Sequence, residues 1–253
     1  MKSNESSEHW DKCWEWFEIF DLDPQRFPEQ LNTSDRSLFD RIGDVRDKDV
    51  LEIGCGNGLF SVFMAKRGAR VTAVDTSATA VQNTLKLATA NGVESRVRAH
   101  AMNALDLKTL GSDFDVVFGK FILHHIEPFD EFSKTLSHLV RENGRAVFLE
   151  NNSRNPVLMF MRRNVVGRFG VPKYGDDEEY PFEPREVDLL RRQFSGVRIH
   201  YPEFLFFGLA SVYLFKNRGI LSRLCHGADA WSFRHLPTFN RYSYSQIVEL
   251  QKA

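Results

Sequence analysis

The sequence predicts an α/β fold: a doubly wound, mostly parallel sheet with helices on both faces. Two observations carry that expectation. Between residues 49 and 151 short apolar runs alternate with stretches of helical spacing, and the first run stops at a glycine-rich turn, VLEIGCGNG at 50–58, that opens a helix. Regular alternation of this kind yields parallel strands covered on both sides.

The core elements follow in order. DVLEIG (49–54) reads as a buried strand and LFSVFMAKRG (59–68) as a helix ending at Gly68. RVTAVDTS (70–77) is a second strand, and the helix after it runs from Ser77, a residue suited to capping, to Gly92. VRAHAMN (97–103), FDVVFGKFI (114–122) and GRAVFLEN (144–151) supply three more strands. Between the last two, residues 128–143 open with a proline and keep helical spacing through Phe132, Leu136, Leu139 and Val140.

The flanks differ in character. Trp10, Trp14 and Phe17, at i, i+4 and i+7, predict one face of a helix over 8–20, and a second helix is expected over 34–45. After residue 151 come a short helical piece, a loop, a helix over 183–194 and a strand at VRIHYPEFLFF. An apolar helix at about 209–224, flanked by basic residues, and a strand at 242–252 complete a seven-stranded sheet. One domain is expected over 1–253. It comprises an N-terminal lid helix within 1–33, a core over 34–151, lid and substrate insertions with the sixth strand over 152–241, and the last strand over 242–253.

Composition narrows the function. The chain has 253 residues, 42% hydrophobic and 26% charged, enough to build a core, and its formal net charge of -1 offers no global attraction to nucleic acid. Cys13, Cys55 and Cys225 are scattered without metal-ligand spacing, which fits a reduced, cytoplasmic protein. The polar start lacks the apolar centre of a secretion signal. The longest apolar run, 204–215, is shorter than the roughly 20 residues of a membrane-crossing helix. RRNVVGR (162–168) and KNRGILSR (216–223) leave peripheral membrane contact open. GDDEEY (175–180) reads as a solvated acidic loop, and no metal site is expected.

Glycine spacing separates ligand classes. Dinucleotide sites favour G-x-G-x-x-G, but here Gly54, Gly56 and Gly58 form G-x-G-x-G and the dinucleotide position holds Leu59. Asp75 closes the second strand, where a carboxylate can accept both hydroxyls of a ribose. VLEIGCGNG, VTAVDTS, FDVVFGKFILHHIEP and LVRENGRAVFLEN together resemble, in order and spacing, the motifs of class I S-adenosylmethionine-dependent methyltransferases of the small-molecule group. The resemblance covers roughly 8–151 and implies a Rossmann-like fold with S-adenosylmethionine as cofactor.

Carried over position by position, the resemblance puts Glu52, Gly54, Cys55 and Gly56 around the methionine moiety and Asp75 on the ribose. Thr76 borders the adenosine, Asn103 and Ala104 meet the adenine, and Lys120 stands where the family has a small or amide residue. His124 and His125 follow the fourth strand and Glu150 ends the fifth, so these three are the candidate catalytic groups, His125 foremost. The family builds its acceptor cover from the terminal and inserted segments, which makes Trp10, Trp14, Phe17, Phe121, Tyr174 and Phe207 the candidate substrate contacts. The acceptor is then a small, largely apolar or aromatic molecule such as a secondary metabolite, a quinone or a prenyl-type lipid, handled by a monomer or homodimer. The alternative from a different class is a noncatalytic S-adenosylmethionine-binding scaffold or sensor.

Overall fold

The computed structural model describes residues 3–15, 17–111, 113–168, 180–215 and 218–253. Seven strands form one sheet: β1 (Asp49–Ile53), β2 (Arg70–Asp75), β3 (Val97–Ala101), β4 (Phe114–Lys120), β5 (Val140–Asn151), β6 (Gly196–His200) and β7 (Ser245–Gln251). Their spatial order is β3-β2-β1-β4-β5-β7-β6. Only β7 runs against its neighbours, pairing antiparallel with β5 and β6.

The strand order reverses at β1, whose two edges pair with β2 and β4, so the ends of β1, β2 and β4 frame a crevice. Ligands settle at such a switch point because connections leave it in opposite directions. Helices α1 (Ser3–Cys13), α2 (Phe27–Gln30), α3 (Thr33–Ile42), α4 (Leu59–Lys66) and α5 (Ala78–Ala90) precede or follow the first two strands. The side of the sheet facing α3 and α4 is packed by Leu38, Phe39, Phe63, Phe118 and Leu149. The opposite side is packed by Phe132, Leu136 and Phe148 through α6 (Phe129–Leu139), and by Val187 and Leu190 through α8 (Pro184–Arg191). Helices α9 (Phe207–Phe215) and α10 (Gly219–His235) pack on each other as a helical cap after β6, and α7 (Pro156–Asn164) follows β5. β7 carries the chain away from that cap, and the Lys252 ammonium donates to the carbonyls of Ser137 and Val140, both at 2.7 Å, where α6 gives way to β5.

Several expectations change: the helix expected over 128–143 gives way to β5 at Val140, and the strand expected at VRIHYPEFLFF ends at His200. The helix over 8–20 stops at Cys13, so Phe17 leaves the face of Trp10 and Trp14 and packs against the α3–α4 core. Asn83 takes the Trp14 carbonyl at 2.8 Å, and Asn91 pairs with both Leu22 N and Phe20 O, which draws the chain off the helical path. The single helix at about 209–224 is two helices. Asp229 of α10 accepts the amides of Phe206, Phe207 and Gly208 and so caps the start of α9.

Asp229→Ala would leave three amides at the start of α9 without their acceptor, one of them buried, and the expected cost is about 3 kcal/mol of unfolding free energy, read by urea denaturation with circular dichroism.

Candidate functional site

β1 and β2 end side by side, Ile53 opposite Val74. Gly54 N and Cys55 N donate to Val74 O at 2.8 and 3.0 Å, which stitches the glycine turn to β2. Asp75 then accepts Gly56 N–H and Ser77 N–H, each at 2.9 Å. Gly54, Gly56 and Gly58 have φ of 74, 52 and 77°, a backbone region costly for residues with a Cβ. The space beside them is taken by protein. A Cβ on Gly58 would stand 2.6 Å from the Thr84 Cα in α5, one on Gly54 2.9 Å from Ile122, and one on Gly56 2.7 Å from the Trp14 ring. These glycines allow α5, the β4 turn and α1 to close on the loop.

The corner is electrostatically under-compensated. Burial pushes the Glu52 carboxyl up to about 8, and the nearby Asp75 adds to the rise. Its strongest relief is the Ser61 hydroxyl of α4, in hydrogen bond with Glu52 Oε2. Asp75 is likewise raised, first by burial, against the lowering effect of the Ser77 and Gly56 amides. The Cys55 thiol is raised by burial and by both carboxylates. A site of this kind welcomes positive charge and hydroxyl donors and rejects a pyrophosphate. S-adenosylmethionine, with a sulfonium, an ammonium and a ribose diol, meets those demands. Glu52, Asp75 and the glycine turn are the residues that would hold it. Farther along the edge, exposed Thr76 follows Asp75, and Asn103 turns its carbonyl oxygen to Leu105 N at 2.9 Å with Ala104 beside it.

Helix α1 crosses this corner. Asp11 accepts from the Ser77 hydroxyl at 2.5 Å and from Thr79 N at 3.0 Å, latching α1 to the first turn of α5. The ring of Trp10 meets that of His125 edge-on at 5.5 Å. Trp10 is thereby set against His125, while the Trp14 ring lies over Gly56. Asp11 gives no sequence signal beyond its place one residue after Trp10.

At the β4–β5 edge the three candidate catalytic groups separate into two kinds. Glu150 is completely buried and accepts from Ile122 N at 2.9 Å and Leu123 N at 2.7 Å, while its other oxygen stands 2.6 Å from His124 Nδ1. The His124 side chain is itself buried. Glu150 and His124 are thus bonded to each other and, through Glu150, to the turn after β4. Together they fix the turn in which Phe121 holds φ 53°, a strained conformation for a bulky residue. His125 is exposed, stacked on His124 at a ring separation of 4.1 Å.

Lys120, a candidate cofactor contact, has partners within the protein. Its ammonium lies 2.7 Å from Asp35 Oδ1 of α3 and over the rings of Phe60 and Phe121. Asn151 projects on the same α3 side as Leu149, by strand alternation, and its buried Oδ1 has no hydrogen-bond partner. Phe207 starts α9 with its ring against Phe206, and Tyr174 lies outside the described residues.

The family described as a methyltransferase domain matches residues 50–144. The chain is 30% identical over 207 residues to the ubiquinone biosynthesis O-methyltransferase of Aeromonas salmonicida, covering 78% of this chain and 81% of that protein. The mitochondrial ubiquinone biosynthesis O-methyltransferase of Schizosaccharomyces pombe is 37% identical over 100 residues, 40% of this chain but only 36% of that one. In three dimensions the chain is similar to geranyl diphosphate C-methyltransferase of Streptomyces coelicolor, with a TM-score of 0.63 at 15% identity over 99% of this chain and 98% of the other; at that identity the likeness concerns the fold.

Because Glu52 binds its proton more tightly folded than unfolded, its contribution is fully present below about 4.5 and is lost as pH rises toward about 8. Glu52→Gln should remove that loss, of the order of a few kcal/mol, and flatten the melting temperature between pH 5 and 8.

Proposed function

The chain belongs to the class I S-adenosylmethionine-dependent methyltransferases, and on that premise we propose that it methylates a small, largely apolar aromatic acceptor of quinone type at a hydroxyl oxygen. The carrying observation is the pair of under-compensated carboxylates, Glu52 and Asp75, beside a glycine turn that α1 covers with aromatic rings. The names of the curated relatives support oxygen as the acceptor atom.

The cofactor supplies an electrophilic methyl group on sulfur. Everything else falls to the chain. Asp75 and Glu52 favour the cationic ligand, and the amides around the turn hold its polar end. Trp10 and Trp14 shield the corner from water, in which alignment of the two reactants is worth on the order of 7–11 kcal/mol. His125, beside Trp10, takes the proton from the acceptor hydroxyl. His124 and Glu150 keep that imidazole in place through the turn they share. The aromatic cover formed by α1 and by residues 152–241 serves as the lid of a single domain. We assign the protein to the cytoplasm, where the unpaired thiols Cys13, Cys55 and Cys225 stay reduced. Nucleic acid has no part in this reading.

Calorimetry tests the premise: S-adenosylmethionine should bind, and Asp75→Ala should weaken it roughly 10–100-fold through lost charged hydrogen bonds. Absence of any binding heat overturns the assignment. With catechol-bearing acceptors, His125→Ala should lower turnover about 10²–10⁴-fold while cofactor affinity stays unchanged. Unaltered turnover removes His125 as the base.

A further inference from the structure

Helix α10 is built inside out. Its buried side carries Ser222, Asp229 and Ser232, and its exposed side carries Ile220, Leu221, Leu224 and Trp231, each between 56 and 67% exposed. At 100° per residue Ile220, Leu224 and Trp231 fall on one stripe. The inversion is not a packing failure, because the inward polar groups are engaged. Asp229 caps α9, and the Ser222 hydroxyl accepts from that of Ser211 at 2.7 Å. Helix α7 also exposes Val157 and Phe160. Its N-cap Asn155 donates to Tyr242 O at 2.7 Å, and Asn152 donates to Arg241 O at 2.9 Å, which ties α7 to the segment that follows α10.

The two segments that carry α7 and α10 are one-sided in charge. Residues 153–168 and 218–244 contain eight arginines and a single carboxylate, Asp229, in a chain whose net charge is -1. That carboxylate is buried and spent on amides. Arg163, Arg218, Arg223 and Arg234 are exposed, and no ion pair holds them among the described residues.

We propose that the α7–α10 face docks the protein on an anionic lipid bilayer, with Leu224 and Trp231 in the acyl–headgroup boundary and the arginines among the headgroups. Apolar side chains bordered by arginine are the composition of an interfacial helix, and no helix among the described residues is long and apolar enough to cross a membrane. A second copy of the chain is a poorer occupant. A twofold interface through this face would set the same arginines against one another. Docking goes beyond the proposed function and stands apart from it: an enzyme on an apolar acceptor gains by working where such molecules dissolve, yet adhesion itself needs no cofactor.

The test is sedimentation of the full chain with vesicles of phosphatidylcholine alone or with roughly 30% phosphatidylglycerol. Binding to the anionic vesicles only, weakened by 0.5 M salt as about a 3–4 Å screening length requires, supports the proposal. Leu224→Ser with Trp231→Ser, and separately Arg223→Glu with Arg234→Glu, should each weaken it roughly tenfold or more at unchanged melting temperature. Equal binding to both vesicle types, or none to either, overturns it. So does a dimer in sedimentation velocity that Leu224→Ser dissolves while vesicles leave the wild type in solution. A chain that sediments with anionic vesicles but takes up no S-adenosylmethionine supports docking and defeats the methyltransferase reading.

Discussion

Glu52 and Asp75 share a corner at the ends of β1 and β2 where burial disfavours their charge and the protein offers only partial relief. Charges in such a place must be neutralised or matched by a ligand. The surrounding architecture follows from keeping that corner dry. The glycine turn lets α5 approach to near contact, α4 brings Ser61 to Glu52, and α1 lays tryptophan over the remaining opening. An active site of this kind is in part an unfinished salt bridge, completed by what binds.

The second organising contact is neighbouring and wholly internal. Glu150 gathers two amides and an imidazole from the turn after β4, and so holds a conformation that Phe121 would not adopt by itself. That carboxylate makes the position of His125 a property of the sheet. Rigidity is thereby transferred from strands to an exposed catalytic candidate.

The parts legible in the sequence were those governed by local periodicity. β1 to β5 with their helices emerge from apolar alternation, and Ser77 caps α5 through its hydroxyl as its position suggests. What periodicity could not reveal were contacts between segments remote in the chain. The break after Cys13 comes from Asn83 and Asn91, roughly seventy residues away. Lys120 finds Asp35 across 85 positions, and Glu150 finds the β4 turn across 28. The inverted polarity of α10 also escapes a hydropathy reading, because its serines and aspartate serve α9 and its apolar residues serve the surface.

The antiparallel course of β7 has a practical corollary. Gln251 pairs with Arg145, at the start of the parallel run of β5, and the Lys252 ammonium is tied beneath α6. A carrier or surface tether joined there would emerge from the rim opposite the glycine turn and leave the crevice unobstructed. One joined ahead of α1 would ride on the helix that covers it, and would perturb the very measurement it was added to make.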